Sequence, residues 1–98
     1  MPKGYVVVQL KVENAEQFEE YRKLVPATIA SHGGSYLVRG GETERREGDE
    51  DGYDRVVVLS FPSFAQAKGW YDSEDYAGPK ALRMAASKAR LFLVEGIE

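Results

Sequence analysis

Among the side chains able to do chemistry, Arg39 has the most suggestive setting. It ends the run Tyr36-Leu37-Val38 and stands directly before Gly40-Gly41. A guanidinium fixed on a strand beside glycines is suited to hold a carboxylate or an enolate through its planar fork of N–H groups. A structural ion pair with Glu47 or Glu95 is the competing role. His32 is the only histidine, and an imidazole is the side chain best placed to move a proton near neutral pH. It closes an apolar helical stripe, however, where a lone histidine commonly packs or caps. Trp70, Tyr71 and Tyr76 form an aromatic group on or after a helix. They would either wall a pocket for a flat organic molecule or fill a core. Tyr5, Tyr36 and Arg83 are further candidates that an observed cavity would promote.

Other chemistries are harder to build from this composition. With one histidine and no cysteine, a metal site would need carboxylates or a second subunit, and no metal or other cofactor is expected. Disulfides and thiolate nucleophiles are excluded. Asp49, Asp51 and Asp54 hint at a calcium loop, but the glycine is misplaced and no distal glutamate follows, so the segment reads as a solvated turn. The 13 basic and 16 acidic residues give a net charge of −3, with the basic ones scattered, which argues against a nucleic-acid partner. The segment Arg55-Val56-Val57-Val58-Leu59-Ser60-Phe61 also lacks the basic, glycine-spaced aromatic motif that stacks RNA bases. Met1-Pro2-Lys3-Gly4 leads into a strand with no long apolar run. The expectation is a cytoplasmic protein with neither signal peptide nor membrane span.

The elements that must position these residues can be read from periodicity. From Tyr5 to Val12, Val6, Val8, Leu10 and Val12 alternate with Tyr5, Val7, Gln9 and Lys11, a strand whose two faces both begin apolar. Asn14 and Gln17 have capping-box spacing, and Phe18, Tyr21, Val25, Ile29 and His32 recur at helical steps. Pro26 predicts a kink or break near Val25, and Gly33-Gly34 ends the helix. Ser35 to Arg39 reads as a strand, followed by a bulge or bend at Gly40-Gly41 and a resumption over residues 42–47. A turn at residues 48–52 leads to a strand from Arg55 to Phe61. Ser63 and Gln66 then cap a second helical region, interrupted at Asp72-Ser73 and broken at Gly78-Pro79. A last strand covers Leu91 to Val94.

Strand, helix, strand, strand, helix, strand is the order of an α+β ferredoxin-like βαββαβ sandwich, here one domain over residues 1–98. Its antiparallel sheet carries both helices on one face. An apolar second face left to water would invite aggregation, so pairing with an identical sheet is expected. A standard interface of about 800 Å² per partner, at roughly 25 cal/mol per Å², supplies ample drive after association costs.

Three stretches carry a family likeness: His32-Gly33-Gly34-Ser35-Tyr36-Leu37-Val38-Arg39-Gly40-Gly41, Trp70-Tyr71-Asp72-Ser73-Glu74-Asp75-Tyr76 and Leu91-Phe92-Leu93-Val94-Glu95-Gly96. With Arg83 in Leu82-Arg83-Met84-Ala85-Ala86-Ser87, they make the chain resemble the domain-of-unknown-function family numbered 1330. The resemblance implies the dimeric α/β-barrel superfamily, in which two ferredoxin-like sheets pack as homodimers. Its relatives include cofactor-independent monooxygenases, muconolactone isomerases and haem-binding peroxidases. The functional expectation is a homodimer acting on a small aromatic or enolisable molecule by cofactor-free oxygenation or proton-transfer isomerisation. His32 and Arg39 would be its catalytic residues, and Tyr36, Trp70, Tyr71, Tyr76 and Arg83 would line its pocket. The alternatives are a non-catalytic ligand-binding or interaction module of the same fold, and a haem protein with His32 as axial ligand.

Overall fold

Each helix begins where a short polar side chain caps it. In the computed structural model, which describes residues 2–98, Asn14 Oδ1 accepts from the Gln17 N–H at 3.0 Å, and Ser63 Oγ from that of Gln66 at 3.1 Å. Ser73 Oγ accepts from the Tyr76 N–H at 3.3 Å. Each cap satisfies one of the donors that a first helical turn leaves over. The resulting order is β1 (Gly4–Val12), α1 (Ala15–Ser31), β2 (Ser35–Arg39), β3 (Arg55–Phe61), α2 (Phe64–Tyr71), α3 (Glu74–Ala86) and β4 (Ser87–Glu95). The strands form one antiparallel sheet in the order β2-β3-β1-β4, the α+β ferredoxin-like arrangement expected from the sequence. No helix among the described residues is long and apolar enough to cross a membrane.

Local details depart from expectation for identifiable reasons. α1 passes Pro26 and α3 passes Gly78-Pro79 without a break. Buried anchors on both sides of each proline, Tyr21 with Val25 and Ile29, and Tyr76 with Arg83, keep the helix continuous across it. Tertiary packing here outweighs the one backbone hydrogen bond each proline removes. The strand expected to resume over residues 42–47 does not form. Arg39 already pairs with Val57, so only Arg55 and Val56 remain on β3 for anything further along the chain. Gly40 turns away at φ +66°, its N–H bonded to Val56 O at 2.9 Å.

β2 also contains a bulge. Tyr36 pairs with Leu59 and Val38 with Val58, leaving Leu37 as the extra residue. Residues three apart in a regular strand point to opposite faces; with one residue bulged, Tyr36 and Arg39 share a face. It is the face covered by the helices. There Val6, Val8, Leu10, Leu59 and Phe61 meet Phe18, Val25, Ile29, Trp70 and Tyr76 in the core.

The other face has no helix. Tyr5, Val7, Val38, Val58, Phe92 and Val94 lie on it by register, and Phe92 is 60% exposed. Its far end is covered by the loop before β3. Asp51 accepts from Arg90 at 2.8 Å and from Arg45 at 3.2 Å. Arg90 also lies over the Tyr53 ring, 4.1 Å from its centroid.

Candidate functional site

Between the sheet and the helices is a cavity of about 50 Å³, its walls mostly aliphatic and aromatic. Trp70 and Tyr76 are both fully buried and both on its lining, so packing and pocket-forming are one role for them. Their rings stack at 4.1 Å between centroids. The indole N–H of Trp70 is spent on Thr28 Oγ1 at 3.0 Å, and Thr28 in turn donates to Val25 O at 2.8 Å. Trp70 therefore offers the cavity a hydrocarbon surface only.

The polar part of the cavity is built from Tyr21, Tyr76 and Arg83. Arg83 Nε donates to Tyr76 Oη at 3.2 Å, and Tyr76 Oη lies 3.1 Å from Tyr21 Oη. Arg83 is only 4% exposed, yet its single protein hydrogen bond leaves both Nη groups unused. No buried side-chain nitrogen or oxygen among the described residues lacks a partner. The Nη groups must therefore touch open space, and the space Arg83 lines is this cavity.

The arginines divide in a way that marks the site. Of the seven in the chain, Arg22, Arg45, Arg46 and Arg90 each have a carboxylate within 4 Å. Arg39, Arg55 and Arg83 have none among the described residues, and all three line the cavity. Arg39 lies over the Tyr36 ring, 4.6 Å from its centroid, and Arg55 over Phe18 at 5.1 Å. No aspartate or glutamate lines the cavity. A net-negative chain thus gathers its uncompensated guanidinium charge around one apolar hole.

Burial governs the ionisation of these groups. It pushes the Tyr21 phenol up, with Tyr76 adding to the effect, so Tyr21 remains a neutral hydroxyl through the physiological range. Burial also raises Tyr36, partly offset by the neighbouring Arg39 charge. For Arg83 burial opposes the charge, but Tyr76 and Tyr21 pull its pKa above the ordinary arginine value. That pull is fully exerted only by a phenolate. Against neutral phenols the guanidinium meets burial with little countercharge, and an anion entering the cavity would supply it.

The structure thus brings Tyr36, Arg39, Trp70, Tyr76 and Arg83 to one cavity and leaves His32 and Tyr71 off its lining. His32 caps α1, with Nδ1 2.9 Å from Thr28 O and 3.9 Å from Asp75 Oδ2. The Tyr71 ring faces Lys80, whose Nζ is 4.2 Å from its centroid. Neither Glu47 nor Glu95 pairs with Arg39. Tyr21 and Arg55 join the cavity without having been singled out from the sequence. Tyr21 is one more aromatic on the α1 stripe, and nothing in Arg55 itself shows which way it faces. A haem does not fit these residues, because the only imidazole lies off the cavity and the cavity is far smaller than a porphyrin. Among the described residues no group of three or more histidine or carboxylate side chains is placed to hold a metal ion.

The profile of the family described as "Domain of unknown function (DUF1330)" matches residues 3–97. No curated protein matches the chain. Among solved structures, a protein of unknown function from Rhodopseudomonas palustris is similar with a TM-score of 0.80 at 18% identity, over 99% of this chain and 84% of that one. SnoaB, a cofactor-independent oxygenase from Streptomyces nogalater, gives 0.65 at 15% identity, over 100% and 96%. A dimeric ferredoxin-like protein of unknown function from a Jannaschia species gives 0.68 at 11%, over 95% and 98%. At these identities the likeness is one of fold.

Proposed function

We propose that this chain, which belongs to the DUF1330 family, takes a small phenolic or enolisable molecule into the cavity and holds it as its oxyanion. The observation that carries the reading is Arg83: buried, without a carboxylate, its Nη groups on the cavity beside two tyrosine hydroxyls. A guanidinium and the one O–H that the Tyr21–Tyr76 hydrogen bond leaves over, converging in a water-poor site, stabilise a phenolate or enolate far better than water does. The cavity is only about 50 Å³, so its apolar walls receive the phenolic or enolic end and the rest of the molecule extends outward past the half-buried Arg55 and the exposed Arg39.

The reaction this arrangement serves best is cofactor-independent oxygenation. A phenol that takes up one O₂ to give a quinone and one water balances without an added reductant. The anion supplies the electrons, and the cavity needs only to favour the anion and keep it in place. SnoaB, with a similar fold, is such an oxygenase, which supports this choice. Isomerisation is less well served, since it needs a base to remove and return a proton at carbon, and no carboxylate or imidazole lines the cavity. His32 would have to act from outside the lining. That same lack of a base favours one second reading, a ligand-binding module that holds the anion without chemistry.

We also infer that two copies pair through the bare sheet face, in the cytoplasm. The exposed Phe92, Val94 and Val38 on that face and the dimeric ferredoxin-like neighbour support a second copy as the occupant.

Oxygen uptake with hydroquinone-type substrates tests the oxygenase, and thermal shift with the same compounds tests binding. Uptake and a melting shift that both vanish in Arg83→Met support the proposal. A shift without uptake supports the binding module, and neither response refutes both.

A further inference from the structure

We infer that the ligand carries a second acidic group, a carboxylate at the end opposite its phenolic or enolic oxygen, and that Arg39 and Arg55 read it at the cavity mouth. This rests on the reading of the cavity as an oxyanion site and narrows its substrate class to aromatic or enolic hydroxy acids.

The inference starts from how these two guanidiniums are held. Each guanidinium carbon lies over an aromatic ring, that of Arg39 4.6 Å from the Tyr36 centroid and that of Arg55 5.1 Å from the Phe18 centroid. A cation over a ring keeps its N–H donors, and neither side chain spends them on a hydrogen bond or ion pair among the described residues, so both can meet a carboxylate. The other arginines outside the buried Arg83 are differently disposed: Arg22 is tied to Glu19 at 3.3 Å, Arg46 to Glu44 at 3.1 Å, and Arg45 and Arg90 to Asp51. The chain holds 16 carboxylates from aspartate and glutamate side chains, yet among the described residues neither Arg39 nor Arg55 forms an ion pair with one.

Both arginines reach the helix-covered face of the sheet and line the same cavity. The bulge at Leu37 brings Arg39 to the helix-covered face, and Arg55 reaches the same face from the start of β3, where it pairs with Leu10. A side chain at Gly40 would come within van der Waals distance of the Arg55 stem. Arg83, on α3 beside Tyr76, is buried, whereas Arg55 is half-buried and Arg39 exposed, so the one cavity has an inner and an outer cationic station. A molecule with one oxyanion and an uncharged tail would satisfy the buried station and leave the outer pair to water. A hydroxy acid satisfies both, and the outer pair supplies the direction in which it enters.

The test compares 4-hydroxybenzoate with its methyl ester, which keeps the phenol and masks the carboxylate. Binding is measured by calorimetry at about 20 mM and about 300 mM salt, because exposed charge pairs weaken as the screening length shortens. The acid should bind about tenfold or more tightly than the ester, since charge-assisted hydrogen bonds to one carboxylate are worth at least that factor. Its advantage should shrink at the higher salt. In the double variant Arg39→Gln, Arg55→Gln the acid and ester should bind alike, while Arg39→Lys, Arg55→Lys should recover part of the preference. Melting temperatures verify that each variant is folded. Acid and ester binding equally to the unaltered protein, with both lost in Arg83→Met, would overturn the second station while leaving the oxyanion site standing. Binding of neither compound would overturn both.

Discussion

Replacing Arg83 by methionine should make the protein more stable while destroying its capacity to hold an anion. Arg83 is 4% exposed, the one protein hydrogen bond of its guanidinium goes to Tyr76 Oη at 3.2 Å, and it has no ion pair with a carboxylate among the described residues. Losing a hydrogen bond from a charged donor costs about 1.5–3 kcal/mol. Relieving a buried, uncompensated charge returns several kcal/mol, reduced here because the Nη groups face the cavity. Tyr76 Oη keeps Tyr21 Oη as a partner at 3.1 Å, so no buried hydroxyl is orphaned. Methionine matches the length of the arginine stem and is tolerant of irregular space. The balance is a gain of about 1 kcal/mol, or a rise of about 4–8 °C in Tm for a domain of this size. Urea and thermal denaturation of the ligand-free protein measure it. A loss of about 2 kcal/mol or more would refute the reasoning, because it would make the guanidinium a structural cross-link rather than a charge held in waiting.

The tyrosine beside it has an alkaline consequence. Tyr21 has a folded pKa raised above the ordinary 10.0, so above that pH the unfolded chain releases a proton the folded one retains, and stability present below pH 10 falls as pH rises. Tyrosinate absorbance should show one of the six tyrosines ionising only as the fold is lost; titration of all six in the intact fold would contradict this. Thr28→Val should cost about 1–3 kcal/mol in urea melts by leaving the buried Trp70 N–H without its acceptor, and no change would mean that water replaces the hydroxyl. Phe92→Lys, on the open face of the sheet, should turn a dimer into monomers in sedimentation at micromolar concentration with Tm measured alongside. A monomeric starting protein would sink that expectation.

The framework of the fold was legible because its signals are local. Asn14 and Ser63 cap helices with the spacing a first turn requires, and β2 and β3 span the residues the sequence pattern assigns to strands. The breaks did not form at the prolines because a proline's penalty is local and the anchoring that overrides it is not. Val25 and Ile29, on either side of Pro26, are buried in the core shared with the sheet. The site was legible in its types and not in its membership. Arg39 and Tyr36 stood out by their neighbours, but their sharing a face depends on a bulge at Leu37, which no alternation pattern announces. His32 stood out by its chemistry, and its backbone contact at Thr28 O is what keeps it at the helix end. The defining feature of the cavity, that Arg39, Arg55 and Arg83 lack carboxylates while the other arginines have them, is a property of three-dimensional pairing. Spacing along a chain does not encode it.

The extra residue in β2 also bears on how this chain can change length. Leu37 is 59% exposed and opposes no residue of its own on β3. Excising it would give Tyr36-Val38-Arg39, a plain alternation that still sends Tyr36 and Arg39 inward and Val38 outward. Removing Val38 instead gives Tyr36-Leu37-Arg39, the same alternation with leucine rather than valine on the open face. The Leu37-Val38 pair is thus a place where evolution, or an engineer, can shorten the sheet's edge by one residue without rewriting which side chains meet the ligand.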